Sequence, residues 1–337
     1  QHPLSGWSAL TPLHPFPKMQ VQYEVSQVKS HLNNSAGLAG SINSIHSRAK
    51  FGCTSGIIAE PMAYGYACHM RHSRNCIGVI GVGVMGEALL AGLINSGSAP
   101  SAICIADKRA ERLTELQNKY GVTPSTIENI ATDCDVILLV VKPQDMGALI
   151  ETISPTIPAT TLLVTFAAGK RSAFIEERVK PGTPVIRVMP NTPSLVGKGM
   201  AAISGGAHAT ESDIDFVTNF LASSGEVIVL AEELQDAVTA TSGSGPAYFF
   251  YFVEEMIKGA IALGLSEAAA TKLTIQTITG AAAMLNESGK SPTTLRENVT
   301  SPKGTTAAAL ETFYQANTGE IISAALKAAR DRSQELA

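Results

Sequence analysis

A glycine-rich turn close to residue 80 constrains the fold of this chain more than any other feature of its sequence. The apolar run Ile77–Ile80 leads into the pattern G-x-G-x-x-G, formed by Gly81, Gly83 and Gly86. An apolar run followed by this pattern is typical of a buried parallel strand that turns tightly into a helix, whose N-terminus binds a dinucleotide pyrophosphate. The residues expected to contact that cofactor are Gly81, Val82, Gly83, Val84, Met85 and Gly86. The alternative is a glycine turn in an unrelated α/β domain.

A second apolar run ends at Asp107, about 20 residues after the glycine pattern, where dinucleotide-binding domains place an acid on the ribose. A carboxylate there accepts a hydrogen bond from the ribose 2′-hydroxyl and favours NADH. Lys108 and Arg109 follow directly, and their positive charge suits the 2′-phosphate of NADPH. The expected cofactor is therefore NADPH, with NADH as the open alternative.

Composition argues against several classes of function. The 337 residues carry 25 basic and 29 acidic side chains, a net charge of −4, which makes nucleic acid or an anionic membrane an unexpected partner. No apolar run approaches the roughly 20 residues that span a bilayer. The five cysteines show no C-x-x-C spacing, which predicts reduced thiols in a reducing compartment such as the cytoplasm.

Residues 1–74 differ in composition from the rest of the chain. They hold six of the seven histidines, many Ser and Asn residues and few acids. This composition is compatible with an organelle transit peptide, or with sequence added by cloning or upstream translation ahead of a natural start at Met70. In either case we expect a disordered leader outside the fold.

Only His208 remains after this leader, in a glycine-rich stretch that predicts a surface loop. Acid–base catalysis by histidine is therefore not expected. The remaining residues also suggest neither a Ser-His-Asp triad nor a metal-ligand set.

Apolar strand-like runs alternate with helix-like segments over residues 75–235. Because these runs are unbroken, they predict a Rossmann-type doubly wound parallel sheet, the dinucleotide-binding domain. Over residues 236–337 the strand-like runs disappear, and Ala, Leu, Met and Ile recur at helical spacing. The Ala-rich segment 257–285 is apolar around much of its circumference, more than a helix in so small a domain can bury alone. The sequence therefore predicts an all-helical substrate-binding and dimerisation domain, and a homodimer.

Four further motifs stand where such a fold binds ligands. Two lie at the predicted carboxyl ends of strands, the ligand-binding edge of a doubly wound sheet: Val141, Lys142 and Pro143, and Met189, Pro190 and Asn191. Two lie at predicted helix N-termini, whose N–H groups bind anions: Ser242, Gly243, Ser244, Gly245 and Pro246, and Gly304, Thr305 and Thr306. Paired anion sites facing a dinucleotide fold favour a small substrate that carries a carboxylate.

These motifs together resemble, in order and spacing, those of pyrroline-5-carboxylate reductases over residues 76–337. The resemblance implies reduction of the cyclic imine 1-pyrroline-5-carboxylate to L-proline with NADPH or NADH, the last step of proline biosynthesis. It also implies a homodimer, in this family often assembled into a decamer, in which the second subunit completes the active site.

The resemblance also assigns roles to residues. Substrate contacts would come from Ser242, Gly243, Gly245, Pro246 and Gly304. Because a protonated imine needs no strong general acid, the hydroxyls of Ser244, Thr305 and Thr306 are candidate proton relays.

Two positions depart from the family pattern. Lys303 stands where the family usually has Gly, which leaves open the conformation and charge of that loop. Ile127 stands where the family often has an Asn near the adenosine ribose, and Asn129 comes two residues later.

Two other functions compete with the reductase. A β-hydroxyacid dehydrogenase shares the plan of a Rossmann domain followed by helices, but is expected to carry a lysine with Asn four residues later. Lys258 and Lys272 are followed instead by Ala262 and Gln276. A non-catalytic NAD(P)-sensing scaffold would not need two anion-binding helix starts, so the reductase is the favoured prediction.

Overall fold

The computed structural model describes residues 76–336, so the predictions made for the leader lie outside the described residues. Within this range strands alternate with helices up to Val229, and every element after residue 230 is helical. None of the helices described is long and apolar enough to cross a membrane.

Eight strands form one sheet: β1 Ile77–Ile80, β2 Ile103–Ala106, β3 Thr123–Pro124, β4 Val136–Leu139, β5 Leu162–Thr165, β6 Val185–Met189, β7 Gly199–Gly205 and β8 Gly225–Val229. Their order across the sheet is β3-β2-β1-β4-β5-β6-β7-β8. Strands β1 to β6 pair in parallel. This arrangement confirms the predicted Rossmann-type sheet.

The last two strands run against the others. Strand β7 pairs antiparallel with β6, and β8 pairs parallel with β7. Only residues 190–198 connect β6 to β7, fewer than the roughly twelve that a parallel crossover needs. The short β3 was not predicted because two residues, one of them Pro124, give no apolar pattern.

Helices cover both faces of the sheet: α1 Val84–Asn95, α2 Ala110–Tyr120, α3 Ile127–Asp133, α4 Met146–Ile153, α5 Ser172–Glu176 and α6 Glu211–Ala222. On one face Leu90 and Phe220 pack into the core under α1 and α6. On the other, Ile130 and Ile150 pack under α3 and α4. The central strands are unbroken apolar runs because they are buried on both faces.

The C-terminal part contains α7 Gln235–Val238, a π-helical turn Thr239–Gly243, α8 Gly245–Ala262, α9 Glu267–Glu287, α10 Pro292–Asn298, α11 Thr305–Gln315 and α12 Thr318–Glu335. The expectation of one helix through residues 257–285 is wrong. Gly264, at φ +99°, ends the first helix, and the Ser266 hydroxyl caps the next by accepting from the Ala269 N–H at 3.3 Å.

These helices leave a large apolar surface uncovered in the single chain. On α8, Phe249, Phe250 and Tyr251 are 63%, 67% and 65% exposed, and on α12 Ile321 is 61% exposed. Large apolar side chains exposed in this number indicate an interface with another protein chain.

Candidate active site

The glycine turn joins β1 to α1 at the carboxyl edge of the sheet. Gly81 has a φ of +94°, and a Cβ there would lie 2.5 Å from the carbonyl oxygen of Val140. A Cβ on Gly86 would overlap the carbonyl oxygen of Gly81, so only glycine lets the helix approach the strand this closely. A Cβ on Gly83 would meet nothing within 4 Å among the described residues, and no side chain caps α1. The first N–H groups of α1 therefore fit a dinucleotide pyrophosphate.

Asp107 follows β2 at the same edge, and backbone and side-chain groups hold its carboxylate. The Val82 N–H donates to Oδ2 at 3.0 Å, and the Arg109 backbone N–H and Nε donate to Oδ1 at 3.0 Å each. Burial raises the pKa of Asp107, but the hydrogen bonds from Arg109 and Val82 outweigh it and leave the pKa below its usual value. The Arg109 side chain is 57% exposed, so it can exchange Asp107 for a ligand phosphate at small cost. Lys108 is exposed and lies 3.6 Å from Asp145.

Arg112 and Glu87 brace the glycine turn, although the sequence did not point to them. Arg112 Nε donates to the Val82 carbonyl at 3.0 Å, and its guanidinium also bonds the Glu87 carboxylate. Lys119 and Tyr120 donate to the same carboxylate at 2.8 and 3.0 Å. The hydrogen bond from Lys119, with those from Arg112 and Tyr120, overcomes burial and lowers the pKa of Glu87 to about 2. The cluster joins α1 to α2, so it becomes visible only in the folded structure.

Two strand ends bring further predicted residues to the same edge. After β4, Lys142 is exposed and extended, at φ −64° and ψ 148°, as expected for a residue before proline. Val141 is half-buried against the core under α4, and Pro143 opens a short 3₁₀ helix. After β6, Pro190 and Asn191 are buried.

Asn191 ties this strand end to the helical part of the chain. Its amide oxygen accepts from the Met200 N–H at 2.9 Å, and its amide nitrogen donates to the Ser242 carbonyl at 3.1 Å. Next to it, a Cβ on Gly243 would overlap the Met189 side chain. The predicted substrate turn therefore packs directly on the carboxyl end of β6.

The predicted free helix N-terminus at this turn is wrong, because the turn is a π-helical segment that continues from α7 into α8. The Ser244 N–H donates to the Thr239 carbonyl at 2.8 Å, and the Ser242 hydroxyl donates to the Val238 carbonyl at 3.2 Å. Gly245 is buried, and Pro246 occupies the first turn of α8 as predicted. A π-helical widening is frequent at functional sites because it redirects backbone groups.

The second predicted anion site, at the start of α11, lies at the surface of the single chain. Gly304 is its N-cap residue, without a side-chain cap, and Thr305 is exposed. The hydrogen bonds described for residues 76–336 do not connect Gly304–Thr306 with Ser242–Pro246. Among the described residues of one chain, the Asn191–Ser242 hydrogen bond ties the first of these two segments to the cofactor edge.

The backbone conformation at Lys303 explains why a glycine suits this position. Its φ of +62° lies in the left-handed region, and the Gly304 N–H donates back to the Ser301 carbonyl at 3.0 Å. Pro302 followed by a positive φ is the pattern of a type II turn, which favours glycine at this place. Lysine keeps the turn at a cost of about 1 kcal/mol. The loop conformation is thus retained, and a positive charge is added beside it.

A buried ion cluster fixes the helical part to the sheet below this site. Arg187 on β6 is 2% exposed and lies 3.5 Å from Glu232 and 3.6 Å from Asp236. Asp236 also accepts from the Ser333 hydroxyl at 2.7 Å, so the cluster reaches α12. Breaking such a pair leaves a buried charge without its partner, which is costly.

The structure also locates the remaining residues that the sequence analysis named. His208 is exposed, as predicted. Ile127 packs against the core under α3, and Asn129 is exposed with its N–H donating to the Thr126 hydroxyl at 3.2 Å.

Comparison with known proteins agrees with this geometry. The family described as pyrroline-5-carboxylate reductase dimerisation matches residues 232–336, and that described as NADP oxidoreductase, coenzyme F420-dependent, matches residues 76–169. A pyrroline-5-carboxylate reductase from Corynebacterium melassecola is 41% identical over 264 residues, which cover 77% of this chain and 98% of the relative. The chain belongs to the pyrroline-5-carboxylate reductase family.

Solved structures of such reductases share the fold. The enzyme from Coxiella burnetii superposes with a TM-score of 0.73 at 32% identity, covering 79% of this chain and 99% of its own. The enzyme from Plasmodium falciparum, solved with NADP bound, gives a TM-score of 0.69 at 29% identity, covering 77% and 97%. The chain is therefore an NAD(P)H-dependent oxidoreductase of proline biosynthesis with a dimerisation domain, rather than a β-hydroxyacid dehydrogenase or a sensor.

Proposed function

We propose that this reductase converts 1-pyrroline-5-carboxylate to L-proline between the carboxyl edge of its sheet and the start of α8. The observation that carries the proposal is the 3.1 Å hydrogen bond from Asn191 to the Ser242 carbonyl. It holds the predicted carboxylate-binding turn at the strand end beside the dinucleotide site. Hydride transfer requires this proximity between substrate and nicotinamide.

Each motif contributes a contact to this arrangement. The uncapped N–H groups of α1 bind the pyrophosphate. Asp107 binds the 2′-hydroxyl of the adenosine ribose in NADH, and Arg109 binds the 2′-phosphate in NADPH. The strand-end residues line the nicotinamide half: Val141, Lys142, Pro143, Met189, Pro190 and Asn191. The substrate carboxylate lies against the π-helical turn Ser242–Pro246, where the widened backbone redirects polar groups.

The chemistry needs little from the side chains beyond position. The bound dinucleotide supplies a hydride to the imine carbon, and the ring nitrogen takes one proton, so one NAD(P)H and one proton give one proline. A protonated imine is already electrophilic, so the residues proposed for the site need not include a histidine. The hydroxyls of Ser244, Thr305 and Thr306 hold or relay that proton and exclude water from the ring.

A second subunit completes the site in this proposal. Thr305 is exposed, Gly304 and Thr306 are half-buried, and in the single chain their described hydrogen bonds do not reach the Ser242 turn. The exposed aromatic face of α8 gives a second copy a surface to pack on. We infer a homodimer that brings α11 of one subunit to the α8 start of the other, and a decamer as its higher assembly.

Mixing two inactive variants tests this directly. We expect Ser244→Ala and Thr306→Val each to lose most of the turnover of imine. If the two residues in one site come from different subunits, unfolding and refolding the two together restores about a quarter of wild-type activity, because half of the dimers carry one intact site. No recovery on mixing would place both residues in one subunit, and full activity of either single variant would remove it from the site.

Three further parts of the account stay proposals. The domain boundary near residue 236 separates the sheet from the helical domain, and the family match beginning at residue 232 supports it. NADPH is the preferred cofactor, supported by Lys108 and Arg109. A cytoplasmic location is proposed from the thiol state of Cys76, Cys104 and Cys134, with organelle targeting by the leader as the alternative.

A further inference from the structure

Three cysteine side chains meet on one face of the sheet, beneath the end of α3. Cys76 directly precedes β1, Cys104 is the second residue of β2, and Cys134 lies between α3 and β4. Their sulfur atoms all lie within 4.8 Å of one another, and the Sγ atoms of Cys76 and Cys134 are 2.7 Å apart. The spacing of the cysteines along the chain did not indicate this cluster.

The register of the sheet brings the three together. Cys104 pairs with Gly78, and Cys76 lies two residues before Gly78, so both thiols point to the same face. A Cβ on Gly78 would overlap the Ile130 side chain and lie 3.4 Å from the Cys134 sulfur. Glycine at position 78 therefore lets the end of α3 pack closely on the sheet, which places Cys134 beside Cys76 and Cys104.

The cluster is separate from the cofactor site. Cys76 and Cys134 lie at the amino ends of β1 and β4, whereas the glycine turn follows their carboxyl ends. Five extended residues from Cys76 to Gly81 span about 16 Å. Changes at the cysteines can therefore be made without touching a residue of the proposed active site.

We propose that Cys76, Cys104 and Cys134 form a three-thiolate site for a thiophilic metal ion, with Zn²⁺ as the ion it fits. Zn–S bonds of about 2.3 Å in a tetrahedron place sulfur atoms about 3.8 Å apart. All three sulfur atoms lie within 4.8 Å of one another, but those of Cys76 and Cys134, at 2.7 Å, must separate to reach this distance. Cys76 lies outside the strand, so it can move the roughly 1 Å needed. Binding converts three thiols to thiolates, releases three protons to solvent, and leaves the fourth position to water beside the half-buried Cys76 and Cys104.

A redox disulfide is the competing use of such a cluster. A disulfide joins only two sulfur atoms, at about 2.05 Å, and leaves the third thiol unused. A metal ion takes all three sulfur atoms as ligands, and the three lie within 4.8 Å of one another. The meeting of three thiols therefore favours a metal site over a redox switch.

Cobalt provides the test, because Co²⁺ occupies tetrahedral zinc sites and gives an intense charge-transfer absorption only with thiolate ligands. The full chain is reduced, stripped with a chelator and titrated with Co²⁺, and Zn²⁺ is then added. We expect the absorption to saturate at about one ion per chain and to disappear when Zn²⁺ displaces the cobalt. It should be lost in Cys76→Ser and in Cys104→Ser, and retained in the double variant Cys53→Ser/Cys68→Ser, which removes the two cysteines of the leader.

Folding must be separated from ligation. Because Cys134 is buried, its replacement could disturb folding, so the half-buried Cys76 is the residue to replace. Unchanged NADPH-dependent reduction of 1-pyrroline-5-carboxylate by Cys76→Ser shows that this variant is folded. No thiolate-to-cobalt absorption in the reduced wild type would overturn the proposal. Absorption that persists in Cys76→Ser but is lost in the leader variant would also overturn it. So would a Cys76–Cys134 disulfide, found by mass spectrometry in protein isolated under reducing conditions.

Discussion

Replacing Asn191 by Ala should separate the substrate turn from the cofactor edge. The change removes two hydrogen bonds, to the Met200 N–H at 2.9 Å and the Ser242 carbonyl at 3.1 Å. Leaving both partly buried backbone groups unsatisfied costs about 2–6 kcal/mol, at about 1–3 kcal/mol each. In a chain of this size that lowers the midpoint of thermal unfolding by about 5–15 °C. A displacement of about 1 Å at the turn should also lower kcat/KM for 1-pyrroline-5-carboxylate by about 10- to 100-fold.

Two matched variants separate these effects. Asn191→Asp keeps an acceptor for the Met200 N–H but presents an oxygen to the Ser242 carbonyl, so it breaks the bond to Ser242 alone and should still lose catalysis. Ser194→Ala removes a 2.8 Å hydrogen bond to the Asn191 carbonyl in the same turn and should leave kcat/KM unchanged. Steady-state kinetics and thermal denaturation of all three measure the outcome. The role of the Asn191–Ser242 hydrogen bond would be refuted if folded Asn191→Ala had wild-type kcat/KM. It would also be refuted if the whole decrease in kcat/KM came from a higher Kd for NADPH.

Three other changes test the cofactor end. Gly86→Ala should abolish NADPH binding, because its Cβ overlaps the carbonyl of the turn, whereas Gly147→Ala, with nothing nearer than 3.9 Å, should bind normally; equal affinities would contradict this. Arg109→Ala should raise the KM for NADPH by about 10-fold and leave that for NADH nearly unchanged; parallel changes would exclude a 2′-phosphate contact. Glu87, with a folded pKa of about 2 against an ordinary 4.5, contributes stability above pH 4.5 that is lost as the pH falls toward 2. Glu87→Gln should therefore be less stable than wild type by on the order of 1–3 kcal/mol at pH 7, in a gap that closes below pH 4.5; a gap constant with pH would contradict the assignment.

Much of the fold follows from local patterns. Gly81 and Gly86 are needed for backbone geometry that any strand-turn-helix of this kind imposes, so their pattern predicts the turn. The antiparallel β7 depends on the length of its connection, which an apolar run does not reveal. The break at Gly264 between α8 and α9 was missed because apolar periodicity continues across it.

The site is less predictable because it depends on contacts far apart in the chain. Asn191 was expected to contact the cofactor, whereas its described hydrogen bonds go to Met200 and Ser242, 9 and 51 residues away. Arg112 and Glu87 brace the turn only because α2 packs against α1. Lys303 is informative in the other direction, since a positive φ explains in physical terms why a glycine suits that position.

The most direct test of the account is the reaction itself. The full chain is incubated with 1-pyrroline-5-carboxylate and NADPH, then with NADH, while loss of reduced cofactor and formation of L-proline are measured together. The account predicts saturable kinetics, one L-proline per cofactor oxidised, and a higher kcat/KM with NADPH. Tight cofactor binding without formation of L-proline would contradict it.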